Sequence, residues 1–247
     1  MQRISTSACS ALLFITLALP LTGQAQQVNA GYDLLQTQAG TTFMTYDFMG
    51  VPLGTYNFGG PVGNVSVGDT DTIVQRLQNA TPASPTVNIQ LDALQLESTA
   101  PINLGAGLNN YFITLQSTPS VGQMTIDFTD HTFTSSLDVF FDVHVGSLNG
   151  PVVAASDLVL QNSGTPWSNI APPDAVLIDT INNDLNTKDN ANDFWPGSTF
   201  TEQHPGGGSQ HTVGDATAPD SAATLPLLLL SLAGLKYVRD RLAVSRG

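Results

Sequence analysis

Cysteine is nearly absent: the one residue of that type, Cys9, lies ahead of the first apolar run. A chain with no later cysteine forms no disulfide and offers no thiol nucleophile, so packing and hydrogen bonding alone must hold its folded part. Basic residues are scarce too, 7 against 20 acids, for a net charge of −13. From Gln26 to Pro219 only Arg76 and Lys188 are basic against 18 acids, which leaves −16 over that stretch. So acidic a surface excludes nucleic acid and anionic membranes as partners bound through charge. The residue patterns of common chemistries are also missing: no His-Glu-x-x-His, no Gly-x-Ser-x-Gly, no phosphate-cradling glycine loop. No catalytic residue is assigned, and the chain is expected not to be an enzyme.

What is present starts with an address. Arg3 precedes an apolar run over residues 11–21, and Gly23-Gln24-Ala25 comes next. A positive start, a short apolar core and small residues three and one before a cut make a secretory signal, so residues 1–25 are expected to be a signal peptide cleaved after Ala25 by way of the Sec translocon. Cys9 leaves with it.

The other end is a second address in three parts. Ala218-Pro219-Asp220-Ser221-Ala222 is polar and short; residues 222–238 are mostly apolar, and Lys236, Arg239, Arg241 and Arg246 make the end basic. Roughly 17 apolar residues suffice for a thin bilayer if Lys236 snorkels to the interface. Thr224 can cap the helix, and Pro226 falls in its first turn, where a missing N–H costs little. The basic cluster over 236–247 marks that end as cytoplasmic. This order resembles the C-terminal sorting signal of bacterial exosortase-sorted surface proteins, in the branch that reads Val-Pro-Asp-Ser-Gly (VPDSG-CTERM, akin to PEP-CTERM). Pro219, Asp220 and Ser221 match; Ala218 and Ala222 stand where that signature has Val and Gly. The Leu-Leu-Ser-Leu-Ala-Gly-Leu-Lys run over 229–236 is similar to the helix end of the same family. The resemblance implies cleavage near the signature by an exosortase-like membrane transpeptidase, and release of the ectodomain or its attachment to surface material such as extracellular polysaccharide.

Between the two addresses lie about 190 residues, enough for one sizeable core. Over 133–148, Leu137, Val139, Phe141, Val143 and Val145 alternate with Ser136, Asp138, Phe140, Asp142 and His144, the period of a half-buried strand. Residues 123–128 read as its hairpin partner, with Thr129-Asp130-His131-Thr132 as the turn; Asn149-Gly150 is a second turn, and Pro151 limits the next segment to an edge or an irregular start. Over 86–98 the apolar phase switches from Val87, Ile89 and Leu91 to Leu94 and Leu96, which predicts a strand with a β-bulge. Residues 110–116 give another strand, and 32–35, 41–48, 64–67 and 157–160 weaker ones. Residues 71–79, with Asp71 or Thr72 as cap and Ile73, Arg76 and Leu77 along the turns, read as a short helix. Many short strands between Gly, Pro and Asn signals predict an all-β domain over 26–202, a β-sandwich of jelly-roll or immunoglobulin-like type. The Gly-rich stretch 203–217 is expected to be a stalk and 218–247 the sorting signal.

Three groups of residues invite a binding site. Asp184, Asp189 and Asp193 lie in an Asx-rich stretch whose oxygens suit Ca2+, although Asp189 and Trp195 fall where an EF-hand needs Gly and Glu, and Asx side chains also make turns with no ion. No cofactor other than calcium is implied. Asp138, Asp142 and His144 share one strand face, but the two carboxylates are roughly 13 Å apart at strand spacing, beyond the about 5 to 9.5 Å of glycosidase pairs. Trp167, Trp195 and Tyr56 offer aromatic faces for sugar stacking, or serve as core anchors. The function expected is that of an exported surface or matrix protein; the alternative is a carbohydrate- or calcium-dependent binding module at the envelope.

Overall fold

The computed structural model describes residues 26–43, 45–60, 62–105, 107–172, 175–176, 192–196, 200–203 and 210–215. The described chain is all-β. It opens with β1 (Gly31–Thr37), β2 (Thr41–Phe43) and β3 (Tyr46–Gly50), then a separate hairpin of β4 (Thr55–Asn57) and β5 (Asn64–Ser66). β6 (Thr72–Arg76) and β7 (Thr86–Ser98) come after it, then a small hairpin of β8 (Ile102–Asn103) and β9 (Leu108–Asn109). β10 (Tyr111–Leu115), β11 (Ser120–Asp127), β12 (Thr132–Val145) and β13 (Val152–Pro166) are next, and β14 (Phe200–Gln203) and β15 (Gln210–Asp215) end it.

Two long strands organise the main sheet. β7 pairs along one side with β11 and, beyond it, with β10, and β12 pairs with the same two strands from across. From the far side of β12 the pairings run through β13, β14, β15, β1 and β6 back to β7, so the ladder closes on itself. Its weakest link is β13 to β14, joined at Gln161 and Gln203 alone. Inside lies one core that includes Phe43, Phe48, Leu96, Ile113, Phe133 and Phe141, each worth about 1.5–3 kcal/mol on burial. Phe43 of β2 meets Phe141 of β12 edge-on, centroids 4.9 Å apart, although those strands share no ladder; the contact crosses the core.

The alternation in β12 sets its inward side. Phe133, Leu137, Val139 and Phe141 are buried, and Asp138, Phe140, Asp142 and His144 point outward. β7 carries the expected bulge: Ile73 pairs with Ala93 but Val74 with Leu91, which leaves Asp92 as the extra residue where the apolar phase changes. The turn at 129–131 also forms, with Asp127 Oδ1 accepting from the Thr129 and Asp130 amides at 2.7 and 3.0 Å and His131 at φ 51°.

Two expectations are corrected. Residues 72–76 are the strand β6, paired on both sides by β1 and β7, rather than part of a helix over 71–79. Thr72, Ile73 and Val74 are stiff β-branched residues, and a site between two strands rewards that stiffness where a helix would not. The stretch expected to be a stalk contains β15, in register with β1 at Leu35–Asp215 and Thr37–Val213. Residues 204–209 lie outside the described residues.

The register sorts the molecule into two ends. β1 starts, β6 ends and β12 starts at one end, toward which β15 also runs. At the opposite end lie the β2–β3 turn, the end of β7, the β8–β9 hairpin and the turn from β12 to β13. The β4–β5 hairpin lays Tyr56, Phe58, Val62 and Val65 over Leu34, Ile73 and Ala93, making a second apolar cluster outside the main core.

Candidate functional site

Three polar constellations stand out, two sealed and one open. The first joins Arg76, 1 % exposed, to Asp33, 2 % exposed, through a buried salt bridge. The Arg76 guanidinium lies 4.6 Å from the Phe194 ring centroid, and its Nε donates to the Asn29 carbonyl at 3.4 Å. Nη2 is buried without a hydrogen-bond partner among the described residues. Residues 192–196 dock here like a clasp: Asn29 N donates to Asn192 O at 2.9 Å, Trp195 bridges Ser168, and Phe194 packs on Phe133 and Trp167. Phe194 and Pro196 also close a cavity of about 20 Å3 lined by Asp33, Leu35, Val74 and Ile89 among others. That is room for about one water, not for a substrate.

The second is Asp71, whose carboxylate has no exposure. It accepts from the Thr37 amide at 2.7 Å, the Thr37 hydroxyl at 2.7 Å and the Thr72 hydroxyl at 2.6 Å. Burial outweighs those donors and pushes its pKa up to about 6. Gly50 leaves room for it, since a Cβ at Gly50 would overlap Asp71 Oδ2. Asp71 ties the end of β1 to the start of β6 beneath β3 and meets no solvent, so its chemistry is structural.

The third is open. Directly paired residues of antiparallel strands share a face, and the registers set Met49, Glu97, Phe112, His144 and Val152 in one row across β3, β7, β10, β12 and β13. Alongside run Gln95, Thr114 and Asp142. His144 is held from both sides: Nδ1 lies 2.9 Å from the Gly150 carbonyl and Nε2 2.8 Å from the Thr114 hydroxyl. The carbonyl can only accept, so Nδ1 carries a proton and donates to it, and Nε2 is left to the Thr114 hydroxyl, which can donate or accept. Asn110 Nδ2 donates to Glu97 Oε1 at 2.9 Å. The face offers fixed donors and acceptors between apolar strips, an arrangement able to hold a hydroxyl-rich ligand.

The residues singled out in the sequence part company in the fold. Asp138, Asp142 and His144 do share the outer face of β12, joined there by Glu97 and Thr114, which come from strands that no local pattern links to it. Trp167 and Trp195, 4 % and 2 % exposed, are core anchors, and Tyr56 packs edge-on against Phe58 at 4.8 Å; the three do not form a stacking platform. Asp193 is 1 % exposed in the clasp, while Asp184 and Asp189 lie outside the described residues. Among the described residues no three His, Cys, Asp or Glu side chains are grouped to hold a metal ion. Ala25, Pro219, Asp220, Ser221, Lys236, Arg239 and Arg241 also lie outside the described residues.

Sequence reasoning passed over Asp33, Arg76 and Asp71. One signal was available: a nearly lone base among 18 acids, two residues after the β-branched run Thr72-Ile73-Val74, points to a buried partner. A third carboxylate, Asp92 at the bulge, is half buried; desolvation first, and the Asp92 charge second, raise the Tyr32 and Tyr56 hydroxyls, the latter to about 12. No family model matches the chain, and no curated protein and no solved structure matches it either.

Proposed function

We propose that this chain is an exported, non-enzymatic bacterial surface or matrix protein, delivered by the Sec translocon and processed at its C-terminal signal by an exosortase-like transpeptidase. The observation that carries this is the order of the tail: Pro219-Asp220-Ser221, then an apolar run, then Lys236, Arg239 and Arg241. Pro219 restrains the backbone ahead of the cut, and Asp220 gives a recognition pocket a charge to pair. The sealed state of Asp71 and of the Asp33–Arg76 pair favours a structural domain, because those groups are spent on the fold. A β-sandwich of jelly-roll or immunoglobulin-like type belongs to this proposal; it is supported by the ladder closing between β13 and β14 through the Gln161–Gln203 pair alone, as where two sheets meet at an edge, with Phe43 reaching Phe141 across the core. The test is mass spectrometry of the protein from its native host. The mature form should end near Asp220, and Asp220→Ala should accumulate an uncleaved membrane form; a mature surface protein still ending at Gly247 would falsify the proposal.

The open face of Glu97, Thr114, Asp142 and His144 favours a second reading, a carbohydrate- or calcium-dependent binding module. Glycan-array binding by wild-type protein, lost in Thr114→Ala and His144→Ala without a change in melting temperature, would support it. No glycan bound, with or without millimolar Ca2+, would remove it.

A further inference from the structure

Six large apolar side chains crowd one end of the molecule: Tyr46 and Met49, each 38 % exposed, Leu104 at 50 %, Leu108 at 72 %, and Val152 and Val153 at 53 %. Among the described residues only Leu77, Val121 and Ile170 are comparable elsewhere. The strand order gathers the six. Thr99 N donates to Asp47 O at 2.9 Å, which puts β3 beside the end of β7; Gly146 N donates to Asn110 O at 2.9 Å, which ties the β12–β13 turn to the start of β10 just past the β8–β9 hairpin. Residues 99–110 and 146–156 carry no charged side chain in a domain of −16. Isolated exposed apolar residues are ordinary, but Leu104, Leu108, Val152 and Val153 on two uncharged segments of so acidic a domain, with Asp47 as the exposed charge between Tyr46 and Met49, mark an interaction surface.

The tip also offers main chain. β13 is 15 residues long, yet among the described strands its far side meets β14 only at Gln161, so 152–160 is an edge paired on one side. Its sequence, Val-Val-Ala-Ala-Ser-Asp-Leu-Val-Leu, has high β-propensity and a single charge, Asp157, without the lysines or internal proline that usually blunt an edge. The start of β1 and the direction of β15 place both exits of the chain at the opposite end.

We propose that this tip is the contact between two copies of the chain, their β13 edges pairing antiparallel about a two-fold axis and the Leu104 and Leu108 side chains packing beside the pair. A second copy is the occupant the charge pattern favours. The two segments that carry Leu104, Leu108, Val152 and Val153 are uncharged, so contact through them leaves the acidic flanks of each copy apart, whereas a cationic partner would be drawn to those flanks, Asp47 and Glu97 included. An isologous contact is also the commonest way for identical chains to associate, and an antiparallel edge pairs with itself about a two-fold. With the chain exits at the other end, a copy tethered by its tail presents this surface outward.

The test uses the full chain in mild detergent, by sedimentation velocity at roughly 100 μM, where a micromolar contact is nearly saturated. Wild type should sediment as a dimer. Leu108→Asp with Val153→Lys should raise the dissociation constant roughly tenfold or more at an unchanged melting temperature, and Leu77→Asp at the far end should not. Oxidative cross-linking in membranes gives a second measure. On a Cys9→Ser background, Ala155→Cys should yield a linked dimer and Leu77→Cys should not. A monomeric wild type, a dimer indifferent to the tip substitutions, or equal cross-linking at both sites overturns the proposal; so does a monomer that floats with phosphatidylcholine vesicles through the tip. None of these readouts depends on tail cleavage, so they succeed or fail independently of the sorting proposal.

Discussion

Asp71 makes the stability of this domain depend on pH in the direction opposite to that of most paired carboxylates. Its pKa rises from 3.8 to about 6 on folding, so between those values the folded state holds a proton that the unfolded chain has released. Stability is therefore greatest below about pH 4 and falls as pH climbs through about 6, by about 3 kcal/mol at 1.36 kcal/mol per unit. The other carboxylates titrate too, so the informative quantity is the difference from Asp71→Asn. Asparagine can keep its oxygen on the Thr37 amide and donate to the two threonine hydroxyls, which are able to accept. It carries no titrating charge. Urea titrations followed by tryptophan fluorescence report on Trp167 and Trp195, both buried. Wild type should match or exceed Asp71→Asn at pH 4 and lose about 3 kcal/mol relative to it by pH 8, roughly 6–12 °C in melting temperature. Parallel pH curves for the two proteins would refute the reasoning, as would a wild type that gains on the variant with rising pH.

The sealed contacts lead to further outcomes. Arg76→Met should cost about 3–5 kcal/mol by leaving the Asp33 carboxylate buried without its cation, and the double variant Asp33→Leu/Arg76→Met should recover most of that in the same urea assay. Gly50→Ala should lower the melting temperature sharply, because its Cβ would overlap Asp71, and Asp71→Ala should relieve part of that loss. If the Asx-rich stretch binds Ca2+, chelation should lower the melting temperature, and Asp184→Ala with Asp189→Ala should abolish the difference; no shift at millimolar Ca2+ leaves a turn-rich loop.

Much of the sheet was legible because side-chain alternation is a local property. The phase switch in 86–98 announced the bulge at Asp92, and the odd-numbered residues of β12 face the core as their pattern required. The short strand β6 was not legible. Ile73 and Leu77 stand four apart like a helix face, and only the presence of β1 and β7 on either side decides the matter. The polar sites were hidden for the same reason. Asp71 meets Thr37 from 34 positions away, and Arg76 meets Asp33 across 43, separations that leave no periodic trace. Glu97 joins His144 on one face only because β10 lies between their strands.

Leu35 and Asp215 are neighbours in the finished ladder, although they stand at opposite ends of the described chain. A ribosome or a translocation pore delivers β1 long before β15, so the first strand must wait with one edge bare until nearly the whole domain has emerged. Contacts of such long range make folding slow. The waiting β1 edge is then the most vulnerable surface of the nascent chain, and a holdase or a narrow channel that keeps it extended would protect it until the last strand arrives to close the ring.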